Sequence, residues 1–103
     1  MGHGAIDLKG EQILIVDDVE TNRLVLEEII KDMGCSPVLA ENGEQALQMA
    51  KECVPKLILT DISMPGMDGY ELCRHLKHDP KTTHTPIIFI SAFDDPMDIV
   101  EGF

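Results

Sequence analysis

Tryptophan is absent from this sequence, tyrosine occurs once, and aromatic residues together make up 4% of 103 residues. A core built from such a chain is aliphatic, drawn from Leu, Ile, Val and Met. Bases are scarce as well: 8 Lys and Arg stand against 19 Asp and Glu, for a formal net charge of -11. That balance argues against contact with nucleic acid or an anionic membrane, whose phosphates a partner must neutralise. It fits a soluble protein whose partners are cations or basic surfaces, with Glu27, Glu28, Glu41, Glu44 and Glu52 read as solvated helix faces. Cysteine is limited to Cys35, Cys53 and Cys73. They are odd in number and lack CxxC spacing, so neither a disulfide framework nor a zinc site is indicated. Cys53 and Cys73 fall at apolar helix positions and read as small core residues, and a reducing compartment follows. No apolar run approaches the ~18 residues of a membrane span. Met1-Gly2-His3-Gly4 is not a signal sequence, so the expectation is a cytoplasmic protein without membrane contact. No repeat or low-complexity segment is present, and the length suits one domain with one core.

What is present is an alternation of short apolar runs and amphipathic stretches. Leu57-Ile58-Leu59-Thr60-Asp61, bounded by Pro55 and Pro65, suits a strand buried on both faces and ending on a carboxylate. Upstream, a strand of about residues 12–17 contains Ile13-Leu14-Ile15-Val16 and ends on Asp17-Asp18. A helix of about 20–33 follows, with Leu24, Val25, Leu26, Ile29, Ile30 and Met33 as a broad apolar stripe and Gly34 at the C-terminal cap. Pro37-Val38-Leu39-Ala40 forms a short strand. Asn42 caps the next helix, with Gln45 at the capping-box position, Ala46, Leu47, Met49, Ala50 and Cys53 inward, and Pro55 as the stop. A third helix of about 68–78 buries Tyr70, Leu72, Cys73 and Leu76. The turn-rich Asp79-Pro80-Lys81-Thr82-Thr83 leads to a strand, Ile87-Ile88-Phe89-Ile90-Ser91. Asp95-Pro96 then opens a last helix, Asp95 as N-cap and Pro96 at its first position. Residues 1–10 form a polar, disordered or tag-like N-terminus, and 11–103 form the domain. Strands alternating with helices mean βαβ units, a doubly wound parallel sheet and right-handed crossovers.

In open parallel sheets ligands bind at the carboxyl ends of the strands, where this chain gathers Asp17, Asp18 and Asp61. A lone strand-end Asp reads as a cap. Three held close repel one another, so one protonates or a cation sits among them. Oxygen-only, partly hydrated ligands suit Mg²⁺ better than zinc. Asp61 is then either a passive ligand or a nucleophile toward a phosphoryl group, since carboxylates form acyl phosphates. Ser91 ends the neighbouring strand, where its hydroxyl and the Ala92 N–H can donate to phosphoryl oxygens. His75, His78 and His84 lack a matching acid at helical spacing and read as solvent-facing.

These pieces, over about residues 11–103, resemble the response-regulator receiver domain (CheY-like, flavodoxin-like fold). The resemblance is carried by Ile13–Asp18, the Asn42-Gly43 turn with Ala46-Leu47, Leu57–Asp61, Met64-Pro65-Gly66-Met67-Asp68-Gly69 and Ser91-Ala92, in order and at this spacing. It implies the strand order 2-1-3-4 and a switch in two-component signal transduction. Asp61 accepts a phosphoryl group from a sensor histidine kinase or phosphotransfer protein. Asp17, Asp18, Asp61 and the Ser63 backbone carbonyl hold Mg²⁺, and Ser91 swings toward the phosphoryl group. Such a domain catalyses its own phosphorylation and dephosphorylation without being a conventional enzyme. The stretches Asp18–Arg23 and Leu76–Pro80 are similar to receivers of hybrid kinases and diguanylate cyclases.

The family pattern continues with a fifth strand carrying a Lys and an aromatic residue, and with a fifth helix; none lies within these residues. An electrostatic clamp of that kind is worth on the order of 3 kcal/mol per donor. The expectation is therefore Mg²⁺ binding with impaired phosphotransfer, with Ile87–Ile90 as an uncovered apolar edge and the outer face of the first helix, at Leu24 or Ile30, left without a neighbour. A chain with that edge open is expected to be marginally stable or to associate with itself, which makes a self-assembly module the alternative reading. A phosphatase with an aspartyl nucleophile needs a second Asp two residues on as general acid, and that position is Ser63.

Overall fold

Unbroken runs of Leu, Ile and Val are not satisfied by covering one face of a sheet, and this sheet is covered on both. In the computed structural model, which describes residues 10–90 and the backbone of 100–102, the elements are β1 (Gln12–Val16), α1 (Glu20–Asp32), β2 (Ser36–Ala40), α2 (Gly43–Cys53), β3 (Leu57–Asp61), α3 (Gly69–His78), β4 (Ile87–Ile90) and β5 (Val100–Gly102). The sheet order is β2-β1-β3-β4-β5. Its first four strands run parallel in the expected 2-1-3-4 order, and β5 pairs antiparallel with β4.

Alternation along the strands sends Leu14, Val16, Ile58 and Phe89 to one face, beneath Ala46, Ala50, Leu72 and Leu76 of α2 and α3. Ile13, Ile15 and Leu59 go to the other, against Leu26 and Ile30 of α1. The topology explains the split. The chain steps from β1 to β2 in one direction and then back past β1 to β3, and right-handed crossovers put the helices of opposite steps on opposite faces. That reversal opens a crevice at the carboxyl ends of β1 and β3.

Local signals act where they stand in the sequence. Asn42 Oδ1 accepts from the Gln45 N–H at 2.8 Å, as expected of the N-cap, while Gln45 Oε1 reaches one residue further back than a capping box requires and accepts from the Glu41 N–H at 2.6 Å. Gly34, at φ +84°, donates to the Lys31 carbonyl and ends α1. Val54 ends α2 at φ +42°, a left-handed conformation that a β-branched residue tolerates badly. Replacing the exposed Val54 by Asn is therefore expected to stabilise the fold by about 1 kcal/mol, a rise of roughly 4–8 °C in Tm for a domain of this size. A melt in which the Asn variant is no more stable than the parent refutes that strain.

The outer face of α1 is uncovered, as expected: Val25, Ile29 and Met33 are 50%, 48% and 54% exposed and Leu24 points outward as well, whereas Leu26 and Ile30 are buried. A single helix laid over β1 and β2 has one covered side, and nothing among the described residues covers the other. Other expectations are corrected. Tyr70 is exposed too, tilted against Phe89 with ring centroids 4.9 Å apart. Cys35 is the fully buried cysteine, while Cys53 and Cys73 are half-buried thiols that burial makes harder to ionise. The helix expected from Asp95 falls largely on 91–99, outside the described residues, but Val100–Gly102 is strand rather than helix. Phe89, Ile88 and Ile87 pair with Val100, Glu101 and Gly102, so the β4 edge is not open over those residues. Self-assembly through that edge loses its structural basis. Among the described residues no helix is long and apolar enough to cross a membrane.

Candidate functional site

β1 and β3 are in register with Val16 opposite Thr60, which brings Asp17 and Asp61 to the same sheet edge. Both are almost fully buried, 3% and 5% exposed, whereas Asp18 projects into solvent. Asp17, Asp18 and Asp61 each offer an oxygen, all within 4.8 Å of one another. The three acids expected at the carboxyl edge are together.

The electrostatics are those of a crowded anionic site. Burial, and then the negative charge of Asp17, push the Asp61 carboxyl above the usual carboxylate range; the backbone N–H groups of Ser63 and Ile62 pull the other way. Burial likewise raises Asp17, against hydrogen bonds from the Val19 N–H and the Asn22 side chain. Asp61 Oδ1 is buried without a hydrogen-bond partner. A buried, unpaired carboxylate oxygen is costly. Facing two further carboxylates, it is an arrangement completed by a cation. The donor set is all oxygen and one member is open to water, which fits Mg²⁺.

The loop after β3 is shaped for close approach. Pro65 is followed by Gly66 at φ +75°, and Met64 turns back into the core. Asp68 caps α3 by accepting from the Glu71 N–H at 2.8 Å. Gly69 then donates to the Ile62 carbonyl at 2.8 Å, with no room for a Cβ between α3 and the Asp61 carbonyl oxygen. Sequence reasoning treated Asp68-Gly69 as a matching piece and missed this steric role; a glycine at the first position of a helix was the available signal. Asn22 and Arg23 beside Asp17 were also missed as site residues. Ser63 lies in the exposed loop directly after the acidic strand end. β4 ends with Ile90 opposite Asp61, while Ser91 and Ala92 lie outside the described residues.

A parallel 2-1-3-4 sheet with an acidic crevice at its reversal point is the arrangement of a signalling receiver. The profile of the response regulator receiver domain family matches residues 13–103, and the chain belongs to that family. Response regulator PleD of Caulobacter vibrioides is 43% identical over 91 residues, covering 88% of this chain and 20% of that protein. Protein PilG of Pseudomonas aeruginosa is 33% identical over 93 residues, covering 90% of this chain and 69% of its own length. Thus the chain spans a small part of the first relative and about two thirds of the second. Among solved structures, the receiver domain of the sensor histidine kinase PA1611 from Pseudomonas aeruginosa superposes with a TM-score of 0.77 at 31% identity, covering 81% of this chain and 68% of that one. That structure has a magnesium ion coordinated in its active-site cleft.

Proposed function

We propose that this receiver domain accepts a phosphoryl group on Asp61 from the phosphohistidine of a sensor histidine kinase or phosphotransfer protein, in the cytoplasm. The observation that carries the reading is the buried Asp61 carboxylate with its unpartnered Oδ1, at the end of β3 and within reach of Asp17 and Asp18. Asp17, Asp18, Asp61 and the Ser63 carbonyl would hold Mg²⁺. When bound, the ion neutralises charge on the transferring phosphoryl oxygens and on the carboxylates.

The remaining work falls to the chain. β3 fixes Asp61 at the mouth of the crevice, and Met64 and the Pro65-Gly66 turn hold the following loop against the core. One Asp61 oxygen attacks phosphorus in line as the P–N bond to the donor imidazole breaks. The imidazole leaves with the bonding pair and takes up a proton, and an acyl phosphate remains on Asp61. Ser91 and the Ala92 N–H are assigned the phosphoryl oxygens, on the strength of their place in the sequence after β4.

Intact mass spectrometry tests this directly. Incubation with acetyl phosphate or phosphoramidate and MgCl₂ is expected to add one phosphoryl mass, which is absent with EDTA and in Asp61→Asn. Addition to Asp61→Asn at the parent level refutes Asp61 as acceptor.

A further inference from the structure

The first turn of α1 holds Asp17 from three directions. The Val19 N–H donates to Asp17 Oδ1 at 2.9 Å. The Asn22 side chain lies beside the same carboxylate and favours its charged form. Arg23 Nη1 donates to the Asp17 backbone carbonyl at 2.7 Å. Val19, at the N-cap, has no side chain able to cap the helix, so the Asp17 carboxylate serves that turn from two residues upstream.

Arg23 is unusual for this surface. Among the described residues the ion pairs are Lys31–Glu27 and Lys51–Asp79. Arg23, half-buried and near enough to Asp17 to favour its charged form, bonds that residue's main-chain carbonyl rather than a carboxylate. A guanidinium fork with a fixed plane suits such a tether better than a flexible ammonium does. Because Arg23 N also bonds the Val19 carbonyl at 3.1 Å, the side chain closes a small ring that ties the end of β1 to the start of α1.

We propose that Arg23 is a positioning residue of the acidic site, holding the Asp17 main chain so that its carboxylate stays within reach of Asp18 and Asp61. Divalent-cation affinity then depends on a side chain that supplies no ligand atom. The inference rests on the cation-dependent reading of the site given above. Two effects of Arg23 oppose each other. Its charge repels an incoming cation, while its tether orders a ligand. The hydrogen bond is to a carbonyl rather than a carboxylate, and the short tether acts on the ligand residue directly while the charge acts through space and is weakened by salt, so the tether dominates.

Calorimetric titration with MgCl₂ alone decides between them. Arg23→Ala is expected to weaken binding about tenfold, the usual scale for residues that orient a metal ligand. Arg23→Lys, whose ammonium can still reach the carbonyl, is expected to recover most of that loss. In the metal-free protein the Val19 amide should exchange faster with solvent in Arg23→Ala. Unchanged or tighter Mg²⁺ binding by Arg23→Ala overturns the proposal. Should that variant not fold, Arg23→Gln takes its place: weaker binding supports the tether, and tighter binding assigns Arg23 a purely electrostatic role. If the parent binds Mg²⁺ with this Arg23 dependence but takes up no phosphoryl group, the acceptor reading fails and this one stands. Normal acceptance with Mg²⁺ binding insensitive to Arg23 gives the reverse.

Discussion

Asp61→Asn is expected to melt at a higher temperature than the parent in EDTA at neutral pH, although it loses the proposed activity. The parent holds a buried carboxylate with one orphaned oxygen beside Asp17. An amide of the same shape removes the charge and the mutual repulsion. Leaving a buried polar group unpaired costs about 1–3 kcal/mol, and more when it is charged, so the gain is roughly 2 kcal/mol, on the order of 10 °C. The pH dependence has a definite sign. Asp61 and Asp17 titrate higher in the folded protein than in the unfolded chain. Between the two values the native state therefore binds more protons, and stability falls as pH rises through that interval. The advantage of Asp61→Asn should shrink as pH is lowered toward the ordinary carboxylate value. Added Mg²⁺ should reverse the ranking, because a ligand at about 100 times its Kd stabilises the parent by ~2.7 kcal/mol. A parent more stable than Asp61→Asn in EDTA at pH 7 would mean that the orphaned oxygen is not a liability.

Gly69→Ala is expected to be the most damaging conservative change near the site. An added Cβ meets only main-chain atoms, all from the end of β3 and the residue after it: the Asp61 carbonyl oxygen, Ile62 Cα at 3.0 Å and Asp61 C at 3.2 Å. None of these can swing aside as a side chain can. Relief requires α3 to lift or the end of β3 to shift, and the second moves the acceptor itself. Overpacking of this kind costs about 3 kcal/mol, and Mg²⁺ affinity should fall with stability. Gly43→Ala is the internal comparison. Its Cβ would meet Met67 Cβ, Cγ and Sδ, each at 2.8 Å; the thioether can rotate away, while Met67 Cβ moves only with its loop, so a cost of about 1–2 kcal/mol, below that of Gly69→Ala, is expected. Equal effects of the two substitutions in chemical denaturation would refute the distinction between rigid and yielding neighbours.

Those two glycines mark the boundary of what sequence could reveal. Strands, helix caps and the acidic edge are local: Asn42 and Gln45 cap through bonds a few residues long, and β1 and β3 announce themselves by continuous apolar runs. The gathering of Asp17, Asp18 and Asp61 followed from topology, because parallel strands must end at one edge. What remained hidden depends on contacts that exist only in the assembled fold, some of them between residues close along the chain. The stripe of α1 states that a face favours burial, but periodicity does not say how many sides are covered. Val25, Ile29 and Met33 accordingly stand exposed where Leu26 and Ile30 do not. Asp95-Pro96 is a sound local helix signal, yet Val100–Gly102 responds to the unpaired backbone edge of β4. Gly69 and Arg23 act through contacts made only once the sheet edge exists.

The pairing of Tyr70 with Phe89 has a practical consequence. Tyr70 is the chain's single tyrosine, and there is no tryptophan to obscure it. It adjoins Gly69, the residue wedged against the Asp61 main chain, and its ring rests on the strand whose end faces Asp61. Emission excited where phenylalanine does not absorb thus comes, within these 103 residues, from one ring on the helix that abuts the Asp61 main chain. If the proposed ion uptake or phosphoryl transfer shifts that helix, this signal registers it in real time without a dye.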